Sequence, residues 1–229
     1  GGIQLEDGDF ERESPSNPKT FDVEKRNGFL QTHVMMGCPA YSISHEKRPT
    51  LMLLSNLLGG PGLNSKLNLS LRERLGYTYS IESNYQSLTD SGLFTVYWST
   101  DKKNYKRSKR AFTNVIDAVL NKPLTEPQLK KYKTQFKGQM IMGEESNLSL
   151  FFVLGKSILD LNNFDSLNTI LTQIDSITSK ELHEVAQEIL APEKRSFLAY
   201  IPDWPYKGRN ILNVGLFITN LRLKSRVKL

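Results

Sequence analysis

The amino-acid sequence predicts an α+β domain in which an antiparallel or mixed sheet of about five to six strands packs against several helices. Three observations support this fold class. The chain has 229 residues, 38% of them apolar, which is enough to bury a core. Its elements run strand, helices, hairpin, helices, strand, without the regular strand–helix alternation that a parallel sheet requires. About ninety residues after Asp101 show helical periodicity.

The first predicted strand covers residues 28–36, where apolar side chains occur on both alternating faces. This pattern is typical of a strand buried on both faces or nearly so, and Pro39 suits its exit. The next predicted element is a helix with Pro49 in its first turn and leucines at positions 51, 54, 57 and 58. The glycine-rich segment 59–62 ends it.

A second helix and a β-hairpin are predicted next. Asn64 suits the N-cap of the helix, leucines recur at positions 63, 67, 71 and 75, and Gly76 provides a left-handed end. Residues 77–86 and 93–99 then alternate around the turn-forming residues 89–92, which predicts a hairpin.

The remaining chain is predicted to be helical up to a final strand at residues 195–201. Two capping boxes mark helix starts, because a threonine precedes a long polar side chain by three residues at Thr125/Gln128 and Thr178/Glu181. We therefore expect a linker-like segment at 1–20, the folded domain at 21–202 and an extension at 203–229. Alternating residues 221–229 in that extension are typical of a half-buried edge strand.

Composition limits the classes of partner. The net charge is +6, and basic residues crowd segments 102–110 and 207–228, which permits a polyanionic ligand. Tyr105 is the one aromatic residue in the first segment, too few for base stacking. We therefore expect solvated basic faces and no nucleic-acid partner. No apolar run approaches the roughly 20 residues of a membrane helix, so we expect no membrane partner either.

No catalytic centre is predicted within the chain. His33, His45 and His183 are far apart, and neither His-x-x-Glu-His nor its inverse occurs, so we expect no metal bound by this chain. The glycines at 59–62 lack the spacing of a phosphate-binding loop. The single cysteine, Cys38, excludes an internal disulfide. A chain without disulfides is typical of the cytoplasm, although a periplasmic or organellar location stays open.

One stretch carries a more specific signal. Residues 58–67 read Leu-Gly-Gly-Pro-Gly-Leu-Asn-Ser-Lys-Leu, and residues 71–81 read Leu-Arg-Glu-Arg-Leu-Gly-Tyr-Thr-Tyr-Ser-Ile. Together they resemble the second half of pitrilysin-type zinc metallopeptidases, the family of insulin-degrading enzyme and mitochondrial processing peptidase. That half has a glycine-rich segment, a helical Arg and a Tyr seven residues later, and Arg72 and Tyr79 keep this spacing. A looser resemblance extends over residues 21–201.

The resemblance implies roles for these residues. Members of the family consist of two homologous halves, of which the first holds zinc and the second closes over the substrate. Arg72 and Tyr79 would then donate hydrogen bonds to a substrate backbone carbonyl, and Gly59, Gly60 and Gly62 would admit or position the peptide. Residue types alone leave a plainer interpretation open, with Arg72 as a helix-end charge and Tyr79 as a sheet residue.

The zinc motif of the family is absent, so we expect this chain to be inactive alone. Zinc would belong to the intact enzyme, with ligands outside this chain. Either an N-terminal catalytic half precedes the linker-like start, or the chain is a non-catalytic subunit that binds peptides or scaffolds a separate catalytic chain. The start at Gly1-Gly2 without Met favours the first explanation. The expected partners are that half or subunit and a peptide substrate, and a homodimer stays open.

Overall fold

The sheet of the computed structural model has five strands in the order β1-β5-β2-β4-β3. The model describes residues 19–143, 147–161 and 166–203. Strand β1 runs parallel to β5, and the other neighbours are antiparallel, which confirms the predicted α+β class and mixed sheet. Most of the linker-like segment and the suggested edge strand near the C-terminus lie outside the described residues. The strands are β1 Asp22–Asn27, β2 Thr32–Ala40, β3 Thr78–Ser87, β4 Gly92–Thr100 and β5 Ser196–Pro202.

The helices lie in two of the connections of the sheet, between β2 and β3 and between β4 and β5. A π-helix, Asn68–Arg74, follows the first α-helix, and the others lie between β4 and β5. In the described part of the chain, no helix is both long enough and apolar enough to cross a bilayer. The α-helices are α1 Arg48–Gly59, α2 Tyr105–Asn121, α3 Glu126–Gly143, α4 Asn147–Leu161, α5 Leu167–Ser176 and α6 Ser179–Ile189.

The core lies between one face of the sheet and the helices. In β2 the side chains of Val34, Met36 and Cys38 are buried, whereas the alternate residues are only half-buried. In the described part of the chain, the expected burial on both faces is therefore complete on one face and only partial on the other, as is common where one face of an antiparallel sheet packs on the core. On the buried face Trp98 of β4 stacks on Phe112 of α2 with ring centroids 4.9 Å apart.

Strand β1 and the start of β2 differ from the sequence-based expectation. The first five residues of β1 are exposed, so β1 has no apolar alternation that a sequence pattern could reveal. It is ordered by pairing with β5 more than 170 residues later, for example Asp22 with Phe197. The predicted strand at 28–36 in fact begins at Thr32 and extends through Pro39 to Ala40.

Both predicted capping boxes form in part. The Thr178 hydroxyl accepts a hydrogen bond from the Glu181 amide at 3.1 Å, and the Gln128 side chain accepts one from the Thr125 amide at 3.0 Å. The Glu181 carboxylate does not return to its own helix start. It accepts a hydrogen bond from the Thr50 hydroxyl and so connects α6 to α1.

Candidate functional site

Arg72 lies in the last turn of the π-helix. The wide turn is visible in the Leu75 amide, which donates to the Ser70 carbonyl at 3.2 Å. Two nested bonds then end the helix, from the Gly76 amide to the Arg72 carbonyl and from the Tyr77 amide to the Leu71 carbonyl, at 3.1 and 2.8 Å. Gly76 has φ 59°, which confirms its predicted left-handed conformation. π-Helical turns are rare and are frequently found at functional sites.

Tyr79 is the extra residue of a β-bulge. Thr78 pairs with Thr100 and Ser80 pairs with Ser99, so Tyr79 has no partner on β4. A bulge turns the side chain of its extra residue away from the regular alternation. Tyr79 is 57% exposed. Its hydroxyl donates to the Asp101 carboxylate at 3.3 Å, and the charge and hydrogen bond of that carboxylate raise the pKa of Tyr79.

The two side chains project from a buried base. The π-helix packs against β3, and the Asn68 side chain donates to the Ile81 carbonyl at 3.3 Å. Leu71, next to Arg72, is fully buried, whereas the Arg72 side chain is 46% exposed. Its one ion pair in the described chain is with its neighbour Glu73, at 3.6 Å. The fold therefore presents a guanidinium and a phenol to solvent from adjoining, well-anchored elements.

The glycine-rich segment is tightly packed. A Cβ on Gly59 would lie 2.6 Å from the Ser83 amide nitrogen, which belongs to the backbone of β3. A Cβ on Gly60 would lie 2.6 Å from the Asn56 carbonyl oxygen, and one on Gly62 would lie 2.6 Å from the Gln135 side chain. Close backbone approach therefore explains Gly59 and Gly60, whereas Gly62 is crowded only by side-chain ends. The suggested role of the three glycines in positioning a peptide stays a prediction.

Two glutamines of α3 connect that helix to the glycine-rich segment and the end of α1. Gln139 accepts a hydrogen bond from Asn56 Nδ2, and Gln135 accepts one from Asn64 Nδ2, both at 2.6 Å. The prediction of Asn64 as the helix N-cap is wrong by one position, because the helical residues begin at Lys66 and the Leu69 amide donates to the Ser65 carbonyl at 2.9 Å. Sequence reasoning did not assign a role to these glutamines, although their i, i+4 spacing on one helix face was visible.

Comparison with known proteins identifies the fold and the family. The family model described as the peptidase M16 inactive domain matches residues 4–136, more than half of the chain and including Arg72 and Tyr79. The chain belongs to the peptidase M16 inactive-domain family.

Related proteins agree with this M16 assignment. The chain is 31% identical over 161 residues to an uncharacterized zinc protease of Mycobacterium tuberculosis, covering 70% of the chain and 36% of that protein. It is 26% identical over 163 residues to an uncharacterized zinc protease of Bacillus subtilis, covering 71% of the chain and 40% of that protein. The M16 chain therefore spans well under half the length of these relatives.

Solved structures support the M16 fold. An M16 inactive domain from Pseudomonas fluorescens superposes with a TM-score of 0.75 at 20% identity, over 86% of this chain and 47% of that one. A protease from Helicobacter pylori superposes with a TM-score of 0.68 at 21% identity, over 84% of this chain and 48% of that one.

The M16 chain has no apparent metal centre in its described residues, where no three His, Cys, Asp or Glu side chains cluster suitably. Each histidine instead contacts a group that is not a metal ligand cluster. His33 is hydrogen-bonded to the Tyr97 hydroxyl at 2.7 Å, His45 stacks on Tyr41, and His183 donates a hydrogen bond to the Leu120 carbonyl. Burial raises the pKa of the Cys38 thiol to about 12, so it stays protonated.

The six basic residues of segment 102–110 divide into two groups, those with a polar partner in the fold and those without an ion pair. Lys109 pairs with Asp22 at 2.6 Å, and Lys102 donates to the Pro202 carbonyl at 3.1 Å. The other four side chains are exposed and have no ion pair with a described residue: Lys103, Lys106, Arg107 and Arg110.

Proposed function

We propose that this chain is the substrate-enclosing C-terminal half of a zinc-dependent endopeptidase acting on peptides or unfolded polypeptides. The observation that carries the proposal is the joint exposure of Arg72 and Tyr79 on a buried base, at the spacing that the resemblance singles out. Membership of the M16 inactive-domain family and the zinc-protease names of the relatives support it.

In this proposal Arg72 and Tyr79 bind the carbonyl oxygen of the peptide bond to be cleaved. Negative charge develops on that oxygen during attack, and a fixed cation and a phenol stabilise it more strongly than they stabilise the neutral carbonyl. Tyr79 would exchange its exposed hydrogen bond to Asp101 for one to the substrate. The Asp101 charge raises the pKa of Tyr79, the direction that favours the protonated, donating form.

Zinc would be held by residues outside this chain. No suitable ligand group occurs among the residues of this chain that the structure describes. In peptidases such a metal ion activates the attacking water. The zinc would come with a catalytic partner, either the rest of the same protein or a separate subunit.

The surface of α4 also favours a partner. Leu148, Phe151, Phe152 and Leu159 are each at least 65% exposed. Large apolar surface is uncommon on proteins that act as monomers. A covering catalytic half or subunit would remove this surface from water.

The proposal is tested with the full-length gene product and quenched fluorescent peptides, with and without a zinc chelator. We expect chelator-sensitive cleavage that zinc restores. Arg72→Ala should lower kcat/KM by about a hundredfold, the usual loss for one oxyanion donor. Arg74→Ala removes the same charge from the same π-helix and serves as the control, with nearly unchanged activity expected.

Two results would count against this function. Equal activity of Arg72→Ala and wild type would remove Arg72 from the site. Absence of cleavage by the full-length product, followed by cleavage when a separate zinc-binding chain co-purifies with it, would identify a non-catalytic subunit instead.

A further inference from the structure

A surface pocket of about 510 Å³ adjoins the candidate site. On one side it is bordered by the residues that connect the π-helix of Arg72 to Tyr79. On the other side it is bordered by residues that closely follow Asp101, the partner of Tyr79. The lining residues are Leu75, Gly76, Tyr77, Lys103, Asn104 and Arg107.

The two cations of this pocket are not accounted for by the fold. Lys103 and Arg107 are exposed and have no ion pair with a described residue, unlike Lys109 of the same basic run. The first turn of α2 contains no acidic residue. Cations near the amino end of a helix oppose its dipole and lower stability. The arrangement therefore calls for an explanation other than stability.

We infer that this pocket binds a carboxylate of the peptide substrate, a step that rests on the proposed function. Ammonium and guanidinium groups make charge-assisted hydrogen bonds to carboxylates. Leu75 and Tyr77 supply apolar surface for the methylene groups that carry such a carboxylate. The carboxylate belongs either to an acidic side chain near the cleaved bond or to the C-terminus of the peptide.

The basic run itself offers no exposed aromatic ring to a nucleic acid. The one aromatic residue of the basic run, Tyr105, is only 5% exposed. Its ring is therefore not available for base stacking, on which binding to single strands depends.

The test uses the full-length gene product and matched pairs of quenched peptides. One Glu is moved through the positions flanking the cleaved bond, each Glu peptide is paired with its Gln counterpart, and each peptide is made as a free acid and as an amide. The double variant Lys103→Gln/Arg107→Gln is compared with Lys106→Gln/Arg110→Gln. The control pair removes the same charge from the same run outside the pocket.

We expect the pocket variant to lower kcat/KM for peptides with a well-placed carboxylate by about tenfold, the loss typical of a hydrogen bond to a charged group. Cleavage of the neutral partners should change less than about twofold, and the control variant should affect both members of a pair equally. A Glu/Gln difference identifies a side-chain carboxylate, and an acid/amide difference identifies the C-terminus.

Equal losses for charged and neutral peptides would overturn the inference and leave the proposed function intact. If the full-length product cleaves no peptide, the proposed function fails, and anisotropy of the same labelled peptides decides the inference. Carboxylate-dependent binding that the pocket variant loses and the control keeps would support it, and equal binding would overturn it. Tighter binding of short single-stranded DNA than of any acidic peptide at physiological salt would also overturn it.

Discussion

Two neighbouring stretches, the glycine-rich segment 59–62 and the segment 72–79, follow opposite rules. In the first, a Cβ on Gly59 would meet the β3 backbone and one on Gly62 would meet α3. In the second, the side chains of Arg72 and Tyr79 extend into solvent with one weak polar contact each. Packing therefore explains Gly59 and Gly60 of the first stretch, which are buried against backbone, but it does not explain an arginine and a tyrosine in the second.

This contrast separates residues that stabilise the fold from residues that are available to bind a substrate. A packed segment fixes the start of the π-helix, and the end of that helix presents groups that the fold does not itself use. Changes in the first stretch should act on stability, and changes in the second should act on activity. The predictions that follow test this division.

Gly59→Ala should give the largest change in stability. The new methyl group would overlap the Ser83 backbone, and overpacking of this kind costs about 3 kcal/mol. Urea unfolding followed by circular dichroism measures the loss. The control is Gly138→Ala, because Gly138 lies inside α3 with open space around it. That variant should gain about 0.5–1 kcal/mol, since alanine favours helix. Equal effects of both changes would contradict the packing argument.

Gln139→Met should give the next largest loss of stability. It leaves the buried Asn56 Nδ2 without its acceptor, and an unsatisfied buried polar group costs about 2 kcal/mol. The same unfolding measurement applies, with the surface change Gln173→Met as control. If Gln139→Met unfolds at the wild-type urea concentration, the connection to α3 does not anchor this region.

Tyr79→Phe should leave the unfolding transition in place and reduce peptide cleavage by the full-length product. Loss of one hydrogen bond to the developing negative charge should lower kcat/KM by at least about tenfold. Steady-state kinetics and the unfolding curve are needed together. A shift of the unfolding curve with unchanged kinetics would place Tyr79 with the supporting residues.

Asp101→Asn should have the smallest effect near neutral pH and a clear one in alkaline solution. The Asp101 carboxylate disfavours the phenolate and so raises the pKa of Tyr79. Without that charge the pKa falls, and Tyr79 loses its proton at a lower pH. The alkaline limb of the pH–rate profile should therefore move to lower pH. An unmoved limb would mean that Tyr79 does not act as the donor.

Much of the fold could be predicted from the sequence, because it depends on local patterns. The leucines of α1, the hairpin of β3 and β4, and the Gly76 helix end all follow from periodicity or turn chemistry within a few residues. The seven-residue separation of Arg72 and Tyr79 was likewise visible in the sequence.

The tertiary structure decided what depends on distant partners. Strand β1 has exposed residues and no pattern of its own, and it becomes a strand only beside β5. The bulge at Tyr79 exists only relative to β4, and the hydrogen bonds of Gln135 and Gln139 require α3 to lie against the glycine-rich segment. The sequence therefore determined which groups are available, and long-range packing decided that Arg72 and Tyr79 are exposed while Leu71, Thr78 and Ile81 beside them are buried.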